Sequence, residues 1–415
     1  MRIPPFKTMP VRFRLMFSSG ILFLILSFLF SIDLDAQSAR RRIFAGNGFV
    51  TVLVETDGTV RAWGTSTYMS LGDGILQTGR NVPAPQPVPG ISHAVDAAVG
   101  ERHVLILLAD GTVMAWGENQ ECETGTWNPG RPLRRSDSSP PQRTPAAIPG
   151  LRNVKQIAAA DRISGALLSD GSVWLWGTSR RGLLANDDFE GPKSQLCAPA
   201  PRRVESLHNV KQLVLTDSHG LALQSDGRIL AWGKNDVGQL GDGTQRNTGT
   251  PVLVSGITNA IAIASQSNRS AALLSDGTVR TWGDNINGGL GDPATMNSDP
   301  PGRYHLTPFA VPGIRSAKSI RAGLTFFFVT LADGTLRGWG EGYYGGLGNG
   351  SYDQYSASPQ TPTGLGPVVD HFIAGRRNYA IRADGTVFGW GPINMNTPSG
   401  MKPFSVVPIV VLPAR

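Results

Sequence analysis

The chain has 415 residues and a formal net charge of +7, and it contains 51 glycines and 30 prolines. Glycine and proline at this level disfavour long helices and are typical of many short strands joined by turns. The positive charge is small and scattered, so the composition does not favour a nucleic-acid-binding protein, and no nucleic-acid partner is expected.

The N-terminal segment differs from the rest of the chain. Four basic residues precede an uncharged apolar stretch of 18 residues, 15–32, and the small residue Ala36 follows soon after it. This order is typical of a secretory signal peptide. We therefore predict a cleaved signal peptide over 1–36, a short basic linker over 37–42, and a secreted, periplasmic or cell-envelope protein. The alternative is an uncleaved membrane anchor, because 18 uncharged residues just reach the length that spans a bilayer.

One phrase then recurs seven times: an Asp-Gly pair, a short strand-like run, and a Trp-Gly pair whose Trp lies six residues after the Asp, as in 276–283. Asp-Gly favours a tight hairpin turn, and the β-branched residues after it favour a strand. The copies are 50 to 60 residues apart, and a period of this size indicates a solenoid, an array or a propeller. The tryptophans are Trp63, Trp116, Trp176, Trp232, Trp282, Trp339 and Trp390.

Each copy divides into four strand-sized segments. The first is rich in small residues, as in 94–100, the second is more apolar, the third carries the Trp, and the fourth is rich in Pro and Val, as in 251–254. Four-stranded repeats bury both of their faces when they pack radially. The pattern therefore predicts an all-β, seven-bladed propeller of four-stranded antiparallel blades. The predicted repeats are 43–90, 91–150, 151–206, 207–256, 257–313, 314–366 and 367–415.

Ring closure and the seams between blades follow from this arrangement. The chain begins in a first-strand segment and ends in a fourth-strand segment, 406–411, so the last strand could join the first blade and lock the ring. We assign the seven tryptophans to the seams, because each brings a large apolar surface to a place where two sheets meet. Cys122 and Cys197 lie in loops of neighbouring copies and could form a disulfide after export; the alternative is two free thiols.

The fourth copy reads Ser-Asp-Gly-Arg-Ile-Leu-Ala-Trp-Gly-Lys-Asn-Asp-Val-Gly-Gln-Leu-Gly-Asp-Gly-Thr over 225–244, followed by Pro-Val-Leu-Val over 251–254. This copy resembles the repeat of the regulator of chromosome condensation family. The resemblance extends from about residue 43 to 412 and implies a seven-bladed β-propeller, here in an exported, bacterial-type form. The glycine turn after the tryptophan is mostly lost in the second and third copies, where the loops are longest.

Arginines and aromatic residues are concentrated in two sets of loops. In a four-stranded blade, the loop after the first strand and the long loop after the tryptophan strand emerge on one side, which we call the loop face. Arg, Tyr and Trp dominate binding hot spots, so we predict that this face binds a partner; the alternative is ordinary solvated loops. The candidates are Tyr68, Arg102, Trp127, Arg162, Arg180, Arg181, Arg269, Tyr343, Tyr344, Arg376 and Arg377.

The sequence contains none of the common catalytic or metal-binding motifs, and no cofactor or metal is predicted. A histidine follows the first strand in only two copies, as His103 and His219, so we interpret each as a hydrogen-bonding residue within its own blade rather than as a ligand. Carboxylates in the loops, such as Asp161, Asp217 and Glu341, leave open an enzyme that cleaves polysaccharide.

The favoured hypothesis is an exported, monomeric, non-enzymatic scaffold that binds an unknown protein through the loop face. One alternative is binding or cleavage of a cell-surface polysaccharide, since a basic face suits an acidic polymer. Another is the guanine nucleotide exchange that the family resemblance implies, which the predicted signal peptide disfavours. A membrane contact is expected only if the N-terminal segment remains uncleaved.

Overall fold

Seven four-stranded antiparallel sheets make up the computed structural model, and each sheet takes its strands in chain order from the axis outward. The predicted all-β, seven-bladed propeller is therefore confirmed. Within the described part, no helix is long and apolar enough to cross a membrane. The predicted signal peptide lies outside the described residues, which are 42–45, 50–66, 71–75, 79–126, 141–178, 180–186, 197–296, 298–299, 302–352, 355–392, 395–397, 400–402 and 404–412.

Blades 1 to 4 each contain four consecutive strands. They are β1 (Arg42–Ala45), β2 (Val50–Val54), β3 (Val60–Ser66), β4 (Arg80–Pro87), β5 (Ala94–Val99), β6 (His103–Leu108), β7 (Val113–Gly117), β8 (Gln142–Ala147), β9 (Val154–Ala159), β10 (Ile163–Leu168), β11 (Val173–Thr178), β12 (Cys197–Arg203), β13 (Val210–Leu215), β14 (His219–Gln224), β15 (Ile229–Gly233) and β16 (Thr248–Leu253).

Blades 5 to 7 follow the same plan, with a small hairpin, β28 and β29, inserted in blade 7. Their strands are β17 (Ala260–Gln266), β18 (Arg269–Leu274), β19 (Val279–Asp284), β20 (Tyr304–Ala310), β21 (Ala317–Ala322), β22 (Phe326–Leu331), β23 (Leu336–Glu341), β24 (Tyr355–Gln360), β25 (Asp370–Ala374), β26 (Arg377–Ile381), β27 (Val387–Gly391), β28 (Met395–Thr397), β29 (Gly400–Lys402) and β30 (Ser405–Leu412). Single 3₁₀ turns after three of the tryptophan strands cover Arg180–Gly182, Ile286–Gly288 and Tyr343–Gly345.

The Asp of each repeat closes the turn between the second and third strands. In all seven blades its Oδ1 accepts a hydrogen bond from the backbone N–H two residues later, at 2.8–3.0 Å. The glycine after it has φ between +77° and +85°, which a residue with a side chain rarely adopts. Hydrogen bonds from Thr278 hold the pKa of Asp276 below its usual value, with the side-chain bond contributing most. Both residues of the Asp-Gly pair thus have a local conformational role.

The ring closes without an exchanged strand. β30 pairs with β27 inside blade 7, and β1 pairs with β2 inside blade 1, so the last strand does not join the first blade. Side chains hold the closing seam instead: Phe372 and Tyr379 of blade 7 belong to one buried cluster with Val52 and Trp63 of blade 1. β1 also contacts both β5 and β25, the first strands of its two neighbours.

Glutamine side chains join the first strands near the axis. The amide of Gln156 pairs with the backbone of Leu213 in the next blade, at 2.9 and 3.0 Å. Gln212 makes the same pair of bonds with Ile263, both at 2.9 Å. A side-chain amide carries a donor and an acceptor, as a peptide unit does, so it satisfies backbone groups that no neighbouring strand reaches.

Candidate functional site

The tryptophans occupy the seams between blades. Six of the seven have no exposed surface, and Trp63 is 5% exposed. Four indole N–H groups donate across a seam to a carbonyl in the post-tryptophan loop of the preceding blade. These bonds are Trp176 to Glu123 at 3.0 Å, Trp232 to Leu183 at 3.1 Å, Trp282 to Gln239 at 3.0 Å and Trp390 to Gly346 at 3.1 Å.

The glycine turn that follows five of the tryptophan strands packs closely against the tryptophan of the next blade. A Cβ placed on Gly241 would lie 2.7 Å from the ring of Trp282, and one on Gly348 would lie 2.8 Å from Trp390. Such distances are too short for any side chain. The third copy places Ala185 in its turn instead, at φ +54°. The Leu-Gly pairs of the repeat therefore contribute to seam packing and are not evidence of a ligand.

Two histidines form hydrogen bonds across the seams between neighbouring blades. His103 Nε2 lies 2.7 Å from Ser164 Oγ in the next blade, and that hydroxyl donates to the carbonyl of Glu123, at 2.8 Å. The Trp176 indole donates to the same carbonyl. Because the serine proton is engaged with the carbonyl, Nε2 must be the protonated nitrogen of His103. The interpretation of a bond within one blade is thus wrong for this residue, because its partner belongs to the neighbouring sheet.

The same relay recurs at the seam between blades 4 and 5. His219 Nε2 lies 2.8 Å from Ser270 Oγ, which donates to the carbonyl of Gln239. His219 also contacts Thr216 inside its own blade, so the sequence interpretation was incomplete here. A third buried histidine, His371, lies 3.1 Å from Asn378 Oδ1. Burial lowers the pKa of all three histidines to about 3.

Cys122 and Cys197 form a disulfide, with Cα atoms 5.9 Å apart and 75 residues between them in sequence. It joins the long loop of blade 2 to the outer strand of blade 3, and both cysteines are buried.

We expect the double change Cys122→Ser and Cys197→Ser to lower the free energy of unfolding by about 2–4 kcal/mol, because an unfolded chain without the cross-link has more conformational freedom. Urea unfolding with and without a reductant measures this. Two alkylatable thiols in the native, exported protein would contradict the pairing.

Two of the arginine candidates stabilise their own loops. Arg269 is 5% exposed, and its guanidinium donates to the carbonyls of Asp284 and Ile286, each at 2.9 Å. Arg377 Nε donates to the carbonyl of Pro392 at 2.8 Å. Arg269 is therefore a structural residue, and the expectation that it faces a partner is wrong because its side chain turns inward. Tyr68 and Trp127 lie outside the described residues.

Four other arginine candidates, all in blades 2 and 3, are paired with carboxylates. Arg102 contacts Glu118 at 2.9 Å and Asp161 at 3.2 Å. Arg162 contacts Asp161 at 3.4 Å and also pairs with Glu121. We call this set, together with the neighbouring pairs Arg180 with Glu121 and Arg181 with Asp217, the ionic network. Among the described residues, this part of the loop face is thus nearly balanced in charge rather than basic.

Burial raises the pKa of several carboxyls in this region. Glu123 is 1% exposed, and burial raises its pKa to about 7. Burial and the nearby charge of Asp161 also raise the pKa of Glu101, and burial raises that of Asp217.

The three carboxylates considered for polysaccharide cleavage all have partners within the chain. Asp161 and Asp217 pair with arginines, and Glu341 accepts a hydrogen bond from Asn287. Among the described residues, no group of three or more His, Cys, Asp or Glu could hold a metal ion.

Blades 6 and 7 present a different surface. Tyr343, Tyr344, Tyr352 and Phe404 are each 38–44% exposed, and we call them the aromatic patch. Ring centroids lie 5.7 Å apart for Tyr344 and Tyr352, and 5.0 Å apart for Tyr352 and Phe404. The guanidinium of Arg376 lies 5.9 Å from the centre of the Tyr344 ring. Sequence reasoning missed Tyr352, which shares a loop with two candidates, and Phe404, which is far from them in the chain.

The fold is a seven-bladed repeat propeller in which five of the seven tryptophans pack on a glycine turn of the preceding blade. A sequence model described as the RCC1-like domain matches residues 31–305. The chain belongs to this family.

Curated relatives include Protein pim1 of Schizosaccharomyces pombe, which is 30% identical over 52% of this chain and 41% of its own length. Another is E3 ubiquitin-protein ligase HERC2 of Homo sapiens, 26% identical over 84% of this chain and 6% of its own length. A third is Guanine nucleotide exchange factor SRM1 of Saccharomyces cerevisiae, 31% identical over 43% of this chain and 42% of its own length. The matched regions span less than half of each relative.

Solved structures match over more of the chain. Human WBSCR16 is 21% identical, with a TM-score of 0.71 over 85% of this chain and 94% of that one. Yeast RCC1 (Prp20) in its complex with Kap60 is 24% identical, with a TM-score of 0.68 over 84% of this chain and 82% of that one. At these identities the likeness shows the fold alone.

Proposed function

We propose that this chain is a non-enzymatic binding protein that presents the loop face of its propeller to a protein partner. The aromatic patch carries the proposal. Tyr and Arg are enriched in binding hot spots, and exposed aromatic side chains in contact with one another are typical of interaction sites. Every large aromatic side chain that is exposed in the described part lies between Tyr343 and Phe404.

Two further observations support a protein partner. The ionic network already pairs four loop-face arginines with carboxylates, which leaves little net positive charge for an acidic polysaccharide within the described part of that face. The yeast relative Prp20p has binding properties toward Gsp1p and histones, and it has been crystallised with Kap60. Those partners belong to that protein, but they support protein binding as a use of this fold.

We also propose that the protein acts outside the cytoplasm, as the pattern over 1–36 predicts. The disulfide between Cys122 and Cys197 supports this, because such bonds persist mainly in oxidising compartments. N-terminal sequencing of the protein from exported fractions should begin at Gln37. Recovery of the whole N-terminal segment from a membrane fraction would favour the anchor instead.

Affinity capture tests the proposed function. The loop-face variant combines Arg180→Glu with Tyr343→Ser and Tyr344→Asn, and we expect it to lose a partner that the unchanged chain captures from envelope and medium fractions. Asn is chosen for position 344 because the residue there has φ +57°, which Asn tolerates.

The matched control changes the opposite side, which carries the Asp-Gly turns and which we call the turn face. It combines Arg152→Glu, Val95→Ser and Ile261→Asn, which alter one exposed charge and two exposed aliphatic residues. This variant should keep the partner. Loss of the partner from the turn-face variant alone, or capture of no protein at all, would contradict the proposal.

A further inference from the structure

Arg376 differs from the other arginines that the sequence placed on the loop face. Among the described residues, its guanidinium has no ion pair and no hydrogen bond, and its Nε is buried without a partner. Its contact is with the face of the Tyr344 ring. A buried N–H without an acceptor costs free energy, and the Arg376 side chain as a whole is only partly buried, so a molecule that brings a carboxylate can pair with its guanidinium.

The surroundings of Arg376 restrict what that acceptor can be. The rings of the aromatic patch form a continuous apolar surface beside Arg376, because Arg376 contacts Tyr344, Tyr344 contacts Tyr352, and Tyr352 contacts Phe404. A short protein segment that binds Arg376 can therefore also contact these rings. A guanidinium binds a carboxylate through charge-assisted hydrogen bonds, often two in parallel. Removal of water by adjacent apolar groups strengthens such a bond.

The contrast with blades 2 to 4 supports the same conclusion. There, each arginine of the ionic network faces a carboxylate of this chain, as Arg102 faces Glu118. Among the described residues of the loops around Arg376, a tyrosine ring lies beside the guanidinium and no carboxylate pairs with it. A carboxylate from another molecule would complete this site as the carboxylates of this chain complete the ionic network.

We propose that Arg376 and the aromatic patch form a docking site for a protein segment that carries a carboxylate next to an aromatic or large aliphatic side chain. The carboxylate pairs with the Arg376 guanidinium, and the apolar side chain packs against Tyr344, Tyr352 and Phe404. This inference rests on the proposed function and specifies which part of the loop face recognises the partner and by what chemistry.

A phage library that displays random 12-residue peptides provides the test, with the full chain as bait. We expect recovered peptides to be enriched in Asp or Glu within a few positions of Phe, Tyr, Trp or Leu. A synthetic copy of a recovered peptide should bind Arg376→Gln at least about tenfold more weakly than the unchanged chain, because one charge-assisted pair is lost. Raised salt should weaken its binding to the unchanged chain.

A charge exchange makes the test specific. A peptide with its acidic residue changed to Lys should regain binding to Arg376→Glu and not to the unchanged chain. Arg315→Gln is the matched control, because Arg315 is an exposed arginine on the turn face, just before the first strand of blade 6. This variant should bind the peptide as tightly as the unchanged chain does. Melting temperatures verify that each variant is folded, and Tyr344→Asn provides a second variant that should also weaken binding.

Two results would overturn the inference: recovered peptides without acidic enrichment, or equal binding to Arg376→Gln and to the unchanged chain. The proposed function is tested separately. If Arg376→Gln keeps the captured partner but the loop-face variant loses it, protein binding stands and recognition does not depend on Arg376. If the loop-face variant also keeps the partner, the loop face is not the binding surface.

Discussion

Replacement of Trp232 by Ala is expected to lower the free energy of unfolding by about 3–5 kcal/mol, because it removes the largest side chain from a fully buried seam. Gly220 lies directly opposite on the paired strand, and a Cβ there would approach the Trp232 ring to 2.3 Å, so this position offers no side chain to fill the space. The substitution also leaves the carbonyl of Leu183 without its indole donor. Urea unfolding followed by circular dichroism measures the effect.

Trp174→Ala is the matched control. Trp174 is a tryptophan of the same type of strand, but it is only partly buried and its indole nitrogen has no hydrogen-bond partner in the described structure. We expect this substitution to cost clearly less than Trp232→Ala. An equal loss from both substitutions, or an unchanged unfolding midpoint for Trp232→Ala, would mean that the seam does not depend on its tryptophan.

Acidification is expected to destabilise the propeller through its three buried histidines. The pKa of His103, His219 and His371 is about 3 in the folded protein against an ordinary value of 6.5. Between these values the unfolded chain binds protons that the folded protein does not. The free energy of unfolding therefore falls as pH falls below 6.5, and the loss approaches about 1.4 kcal/mol per pH unit for each histidine.

Buried carboxyls act in the opposite direction. The pKa of Glu123 is raised from 4.5 to about 7, so between these values the folded protein holds a proton that the unfolded chain has lost. Acidification over that range stabilises the fold by about 1.4 kcal/mol per pH unit, and the raised pKa values of Glu101 and Asp217 have the same sign. The three histidines outweigh Glu123, and a net loss of about 3 kcal/mol per pH unit is expected between pH 5.5 and 4.5.

Denaturant midpoints measured between pH 7 and pH 4.5 test this dependence. His103→Gln keeps a side-chain donor near Ser164 but cannot titrate, so its slope should be shallower by about 1.4 kcal/mol per pH unit. His93→Asn changes an exposed histidine of the turn face and is the comparison, with Asn chosen because the residue there has φ +59°. If His103→Gln shows the same slope as the unchanged protein, the seam histidine does not cause the acid sensitivity.

The number of blades and their architecture follow from the sequence because each repeat carries its own local signals. Asp276 and Gly277 close a hairpin through bonds that span two residues, and Trp282 follows at a constant distance. Interactions of such short range leave a visible pattern in the chain. The repeated unit, its four strands and the radial packing could therefore be predicted without any knowledge of contacts between blades.

Only the tertiary structure decided what the loop residues do. Arg269 and Arg376 occupy comparable loops, yet one is buried against carbonyls of its own blade and the other contacts an exposed tyrosine. The ionic network depends on carboxylates from neighbouring loops, and the aromatic patch joins Tyr352 to Phe404 across about 50 residues of chain. A residue type predicts that a side chain can bind, but its partner depends on which distant loop the closed ring places beside it, and no local pattern encodes that distance.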